Sequence, residues 1–156
     1  MNNDTLSITC NCGCDNGYNF KYLDGSIYIS LTVGYYYAAQ YPIRSSLSER
    51  FELITGKSSC IGGAVLGRND IESIIAWLRS HKCNDDKEKN YGRLSLFSLH
   101  DPEEKGTENE IYELCVEPVM SKFDILLGRS FRAGEIILNE KNRRGLIVHL
   151  ENVLKE

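Results

Sequence analysis

The sequence predicts an α+β protein made of two related β-α-β-α units, with helices packed on a largely antiparallel sheet around one shared core. Three observations predict it. Residues 51–78 laid over residues 123–150 without a gap match Phe51 with Phe123, Gly56 with Gly128, Ser58 with Ser130, Gly62 with Gly134, Leu66 with Leu138, Ile75 with Ile147 and Leu78 with Leu150. Like-for-like pairs such as Leu53/Ile125, Lys57/Arg129 and Val65/Ile137 lie between them and Arg50/Lys122 just before them, and a repeat of this length is one supersecondary unit used twice. Strand periods, turn chemistry and helix caps then fall in the same order in both halves. Finally, a unit of about 75 residues removes too little surface from water to be stable alone, so the halves must press together. The units are residues 1–82 and 92–156, joined by the polar connection 83–91. Their apolar stripes are of similar size, which predicts a pseudo-two-fold monomer.

The elements follow in order. Leu6–Cys12 alternates apolar and polar residues, the mark of a half-buried strand, and Asp15-Asn16-Gly17 is turn chemistry. A short strand over 19–23 reaches Asp24-Gly25, a two-residue hairpin signal. Ser26–Val33 returns with Ile27, Ile29, Leu31 and Val33 on one face, completing a three-stranded meander. After Pro42, Ile43, Leu47, Phe51 and Ile54 recur at helical spacing, and Gly56 caps that helix. Ala64-Val65-Leu66, bounded by glycines, reads as a strand. Asn69 and Glu72 form a capping box for a helix whose inner face is Ile71, Ile74, Ile75 and Leu78. The second half opens with a strand over 93–100, an acidic loop over 101–109 and a strand over 111–116. Pro118 begins a helix capped by Gly128. Residues 135–138 form a strand, and Asn139 caps a last helix with the stripe Leu146, Ile147, Leu150, Val153 and Leu154.

Composition narrows the function classes. Hydrophobic residues make up 42% and charged residues 26% of the 156-residue chain, a globular balance. The formal net charge is −4. Nucleic-acid binding draws most of its affinity from neutralising phosphates, so an acidic chain without a basic stripe is a poor binder. The basic groupings (Lys141, Arg143, Arg144; Arg129, Arg132) have acidic neighbours and read as solvated faces. The start Met1-Asn2-Asn3-Asp4 has neither a basic nor an apolar signal region. No run approaches ~18 apolar residues, so no membrane span is expected. The expectation is a cytoplasmic protein whose six cysteines are thiols and not bridges.

Cys10, Cys12 and Cys14 are the sharpest local feature. On an extended strand they project to one side at about 7 Å per step. Three thiolates so placed could hold zinc if Cys60 or Cys83 brought a fourth, although structural zinc sites favour Cys-x₂-Cys knuckles. Buried thiols, as at Cys60 and Cys115, need no explanation beyond packing. The aromatic run Tyr35, Tyr36, Tyr37 and Tyr41 cannot all face one core, so some of it suits a partner interface. Tyr37 and Tyr41 packed inward is the blander arrangement.

Two glycine-rich stretches resemble phosphate loops and fail on order. The glycines of 62–67 flank a strand, and Gly56-Lys57-Ser58 closes a helix where a phosphate loop must open one. His81, His100 and His149 lie on separate elements with no nucleophile at a telling spacing, and Asp85-Asp86 and Glu103-Glu104 sit in loops. No catalytic constellation stands out.

Ile8-Thr9-Cys10-x-Cys12-Gly13-Cys14-x-x-Gly17, with Tyr35–Tyr37, Gln40, Gly56-Lys57 and Asp70–Leu78, resembles small uncharacterised proteins of phages and integrated mobile elements of Firmicutes-type bacteria. The resemblance covers roughly residues 6–80, and those proteins are about as long as one half of this chain. It implies a mobile-element context and no mechanism. The expected function is a non-catalytic interaction or accessory protein that binds a protein partner through Tyr35–Tyr41. The alternative is a metal- or nucleic-acid-binding module organised on Cys10, Cys12 and Cys14.

Overall fold

Asp24 and Gly25 both take positive φ, 50° and 78°, the left-handed pair that a two-residue hairpin turn needs to match strand twist. The turn joins β2 (Gly17–Leu23) to β3 (Ser26–Thr32), and β1 (Thr5–Thr9) pairs antiparallel with β2 to complete the meander. The computed structural model describes residues 4–14, 16–32, 62–84, 89–90, 92–118 and 135–156. Its remaining elements are β4 (Gly62–Gly67), α1 (Arg68–Ser80), β5 (Lys89–Asn90), β6 (Gly92–Ser98), a short 3₁₀ turn (Pro102–Glu104), β7 (Ile111–Pro118), β8 (Glu135–Leu138) and α2 (Glu140–Lys155). The helices expected after Pro42 and Pro118 lie outside the described residues. Pro118 itself is the last residue of β7. A strand end tolerates proline, whose missing N–H costs no interior ladder bond.

The strands form two antiparallel sheets, ordered β1-β2-β3-β8-β5 and β4-β7-β6. Each sheet combines segments from both sides of the polar connection. β8 pairs with β3, Ile136 opposite Ile29. β4 pairs with β7, Ala64 opposite Leu114. The inward faces carry Tyr18 and Phe20 (β2), Ile27 and Ile29 (β3), Leu66 (β4), Leu96 (β6) and Tyr112 and Leu114 (β7), all buried. Both helices add their stripes to this single buried cluster. Burial of each such side chain is worth about 1.5–3 kcal/mol. Tyr18 also donates its hydroxyl to the Leu114 carbonyl at 2.9 Å, tying one sheet to the other.

The expected helix stripes are the buried ones, except that Val153 is only half-buried, and Trp77 joins the α1 face. Asn139 caps α2 through its side chain, which accepts from Asn142 N at 2.8 Å. At α1 the cap falls earlier than the sequence suggests. Gly67 occupies it, and the Asp70 carboxylate accepts from Gly67 N at 3.0 Å. Each helix's first turn lies against the other's last. Arg143 donates to the Leu78 carbonyl at 2.6 Å and Arg68 to the Leu154 carbonyl at 3.5 Å, while Arg79 pairs with Glu151. Among the described residues no helix is long and apolar enough to cross a membrane.

Arg143 departs from its expected solvated face: it is 5% exposed. Its guanidinium grips both oxygens of Glu140, at 2.8 and 2.6 Å. Glu140 also accepts from Cys83 N at 3.0 Å and from Arg144 at 2.8 Å. The Arg143 hydrogen bonds, against burial, hold the Glu140 carboxyl at about 2, below the ordinary 4.5. A folded value below the unfolded one means stability that is complete above pH ~4.5 and lost as pH falls toward ~2. The carboxylate is 28% exposed, so solvent screening reduces the contribution to roughly 1–2 kcal/mol. The native chain and Glu140→Gln should therefore differ in denaturation midpoint at pH 7 and converge as the pH falls to 2. A constant difference across that range would show that the charge plays no part.

A candidate thiolate metal centre

β1 stops at Thr9, and Cys10–Asn16 turns back into β2. Cys10 N donates to Asn16 O at 2.7 Å, and Gly13 N to Cys10 O at 3.4 Å. Gly13 has a φ of 79°, which a side chain would oppose, so glycine permits the tight turn. The cysteines thus do not line an extended strand, as their alternation suggests. The turn gathers them instead, and the three Sγ atoms lie within 4.8 Å of one another. The Cys10 and Cys12 sulfurs are 2.8 Å apart.

β4 anchors this loop. Asn11 N donates to Val65 O at 2.8 Å, and Val65 N donates to Cys10 Sγ at 3.1 Å. Asn11 Nδ2 reaches the Asp70 carboxylate in the first turn of α1 at 3.2 Å. The loop therefore joins β1, an edge of the first sheet, to β4, an edge of the second. Burial grades the three thiols: Cys10 is buried, Cys14 half-buried against the core and Cys12 exposed. An N–H donated to sulfur complements the negative charge of a metal-bound thiolate.

Zinc bound tetrahedrally at about 2.3 Å from each sulfur sets those sulfurs about 3.8 Å apart. The Cys10–Cys12 separation of 2.8 Å is shorter than that spacing, and all three sulfurs lie within 4.8 Å of one another. Three sulfurs here could hold a metal ion. Cys83 does not supply the fourth ligand: it is buried beside Glu140, and burial pushes its thiol up. Cys60 lies outside the described residues, as do Tyr35, Tyr36, Tyr37 and Tyr41. The expectation of free thiols holds for Cys10, Cys12, Cys14 and Cys83. It fails at Cys115, which is buried on β7 and disulfide-bonded. The apolar setting that suggested simple packing shields a bridge instead.

A second polar cluster escaped the sequence. Glu110, with a side chain 1% exposed, accepts from Arg68 at 2.9 Å, from Gly106 N at 3.3 Å and from the Tyr112 hydroxyl. His100 stands 3.9 Å from the same carboxylate and meets the Tyr112 ring edge-on. Burial pushes Glu110 up, but the Tyr112 hydrogen bond and the Arg68 charge outweigh it, and its carboxyl sits below the ordinary range. Burial and that bond push Tyr112 up to about 12. Glu110 thus holds the loop between β6 and β7 against the start of α1. The acids of the expected acidic loop, Glu103 and Glu104, are exposed and half-buried.

The other histidines also serve the fold. His149 Nε2 accepts from Leu96 N at 3.0 Å, and His81 stacks 4.2 Å from the Trp77 ring. Compared with protein families, curated proteins and solved structures, the chain matches none of them.

Proposed function

We propose that this chain is a metal-binding module that holds a soft cation, zinc first, on the thiolates of Cys10, Cys12 and Cys14. The convergence of three sulfurs within 4.8 Å carries the reading. Anchoring of Cys10 by the Val65 N–H supports it, because a preorganised ligand loses less freedom on binding. Among the described residues three thiols converge and Cys12 is exposed, so a fourth position could be taken by water or a partner's ligand, the pattern of sites that exchange or use their metal.

Titration of reduced, metal-free protein with zinc against a chromophoric chelator tests this. One equivalent should bind, and cobalt in its place should give thiolate charge-transfer absorbance. Losing a group that only hydrogen-bonds to a metal ligand weakens metal binding about 10–100-fold, so Cys10→Ser, which removes a proposed ligand, should weaken it by more than ~100-fold. Cys83→Ser should have no effect. Substoichiometric uptake, or equal losses in both variants, would refute the site.

We infer also that the fold arose by duplication, with the two halves exchanging their strand-helix pairs. β4 runs into α1 and β8 into α2 at the same offset as the sequence repeat. The hairpin β2-β3 receives β8 on its second strand, and the hairpin β6-β7 receives β4 on its second strand. Through these registers, Phe20 beside Ile29 corresponds to Leu96 beside Leu114. The Phe20 ring meets Trp77 at 6.0 Å. In the corresponding place, Leu96 N meets His149, the residue that matches Trp77 in the repeat.

A further inference from the structure

Cys10 and Cys12 stand closer than a metal centre requires. Their sulfurs, 2.8 Å apart, are inside the about 3.8 Å of a tetrahedral thiolate site and not far from the about 2.05 Å of a disulfide. They differ sharply in access, one buried and one exposed. The buried member is held by main-chain bonds on two sides, from Val65 N to its sulfur and from its own N–H to Asn16 O. That is the division of labour of a dithiol pair: an exposed sulfur that meets the reagent and a sheltered one that completes the exchange.

We propose that Cys10 and Cys12 form a reversible dithiol–disulfide pair that exchanges with low-molecular-weight disulfides, and that the closed form releases the metal. The second clause rests on the metal-binding reading; the first does not. The Cys12 thiolate attacks one sulfur of the small disulfide, whose S–S bond breaks and whose other half leaves as a thiolate. Cys12 is now in a mixed disulfide. Cys10 Sγ attacks Cys12 Sγ, the mixed bond breaks, and the second small thiolate leaves. Two protein thiols have lost two electrons and two protons, and one small disulfide has become two thiols. Cys14, whose sulfur packs partly against the core, takes no part. A ring closed across a single residue is strained and half-exposed, the kind of bridge that thiols reopen readily.

The test uses the reduced, metal-free full chain with oxidised glutathione, followed by an alkylating quench and tryptic mass spectrometry. The peptide Met1–Lys21 contains these three cysteines and no other. It should carry one internal disulfide and one alkyl group, located on Cys14. Cys10→Ser, or Cys10→Ala if a buried hydroxyl disturbs the loop, should stop at a mixed disulfide on Cys12. Cys14→Ser should close as the native chain does. A bridge to Cys14, or mixed disulfide as the end product of the native chain, would overturn the pairing. Zinc-loaded protein should close at least about 10-fold more slowly, since coordinated thiolates are poor nucleophiles. Equal rates with zinc demonstrably bound would overturn the release clause. Closure in a chain that binds no zinc would uphold the dithiol and remove the metal reading alone.

Discussion

Replacing Glu110 with alanine should cost the fold about 3 kcal/mol, the range for removing one partner from a buried, charged hydrogen-bond cluster. The loss has three parts. The Tyr112 hydroxyl, on a residue 1% exposed, is left without its acceptor. Gly106 N loses the bond that secures the loop, and Arg68 loses one of its two carboxylates. Arg68 limits the damage, because its side chain is 36% exposed and keeps Glu72 at 2.9 Å. Denaturant unfolding of Glu110→Ala, Tyr112→Phe and the double variant would measure the coupling. Additive losses would mean that the two groups do not act together. Glu110→Gln should lose less, because its amide oxygen still accepts, although its NH₂ faces the Gly106 N–H.

A methyl group at Gly17 should do comparable harm by a different route, and reach the candidate metal site. An added Cβ would stand 2.3 Å from the Ile8 carbonyl oxygen and 3.2 Å from Thr9 Cα. Both are main-chain atoms that cannot rotate away, so β1 and β2 must part where the cysteine loop enters and leaves. Gly17→Ala is expected to lose about 2–4 kcal/mol, at or above the usual cost of overpacking, and to weaken zinc binding with it. Gly145→Ala is the control. That position, inside α2, has nothing within 4 Å of an added Cβ, so the change should gain about 0.5–1 kcal/mol from helix propensity. If both changes proved neutral, the close approach at Gly17 would be wrong.

What the sequence made legible was local. Alternation marked β1 and β3, Asp24-Gly25 marked the hairpin, and Asn139 marked the start of α2, because each signal depends on neighbours within a few residues. The α1 cap was misplaced because Asp70 reaches back to Gly67, a bond that the Asn69-to-Glu72 pattern imitates two positions later. Arg143 read as surface because charge suggests solvent. Only the fold shows that the Leu78 carbonyl and Glu140 meet its guanidinium in the interior. Glu110 gave no signal, since Arg68 lies on another element and a single acid before a strand is unremarkable. At the candidate metal site the residue types were visible and their arrangement was not. Alternation implied a strand, and Gly13 converts it to a turn. The sequence match between 51–78 and 123–150 indicated which segments are alike in sequence but was silent on which strand each would pair with.

That crossing of strands between sheets also governs the order in which the chain can assemble. Ile27 has no partner on its outer side until Leu138 arrives, and Leu66 waits for Tyr112. Contacts so distant along the chain carry a large loop-closure cost before any pairing rewards it, which slows folding. While the chain is being synthesised, β1, β2 and β3 emerge early, and β3 presents an open edge that includes Ile27 and Ile29 throughout the synthesis of the second half. Open apolar edges are templates for pairing with other chains. Production of this protein should therefore be governed by how quickly β8 reaches that edge, and slower elongation should raise aggregation even when the finished fold is stable.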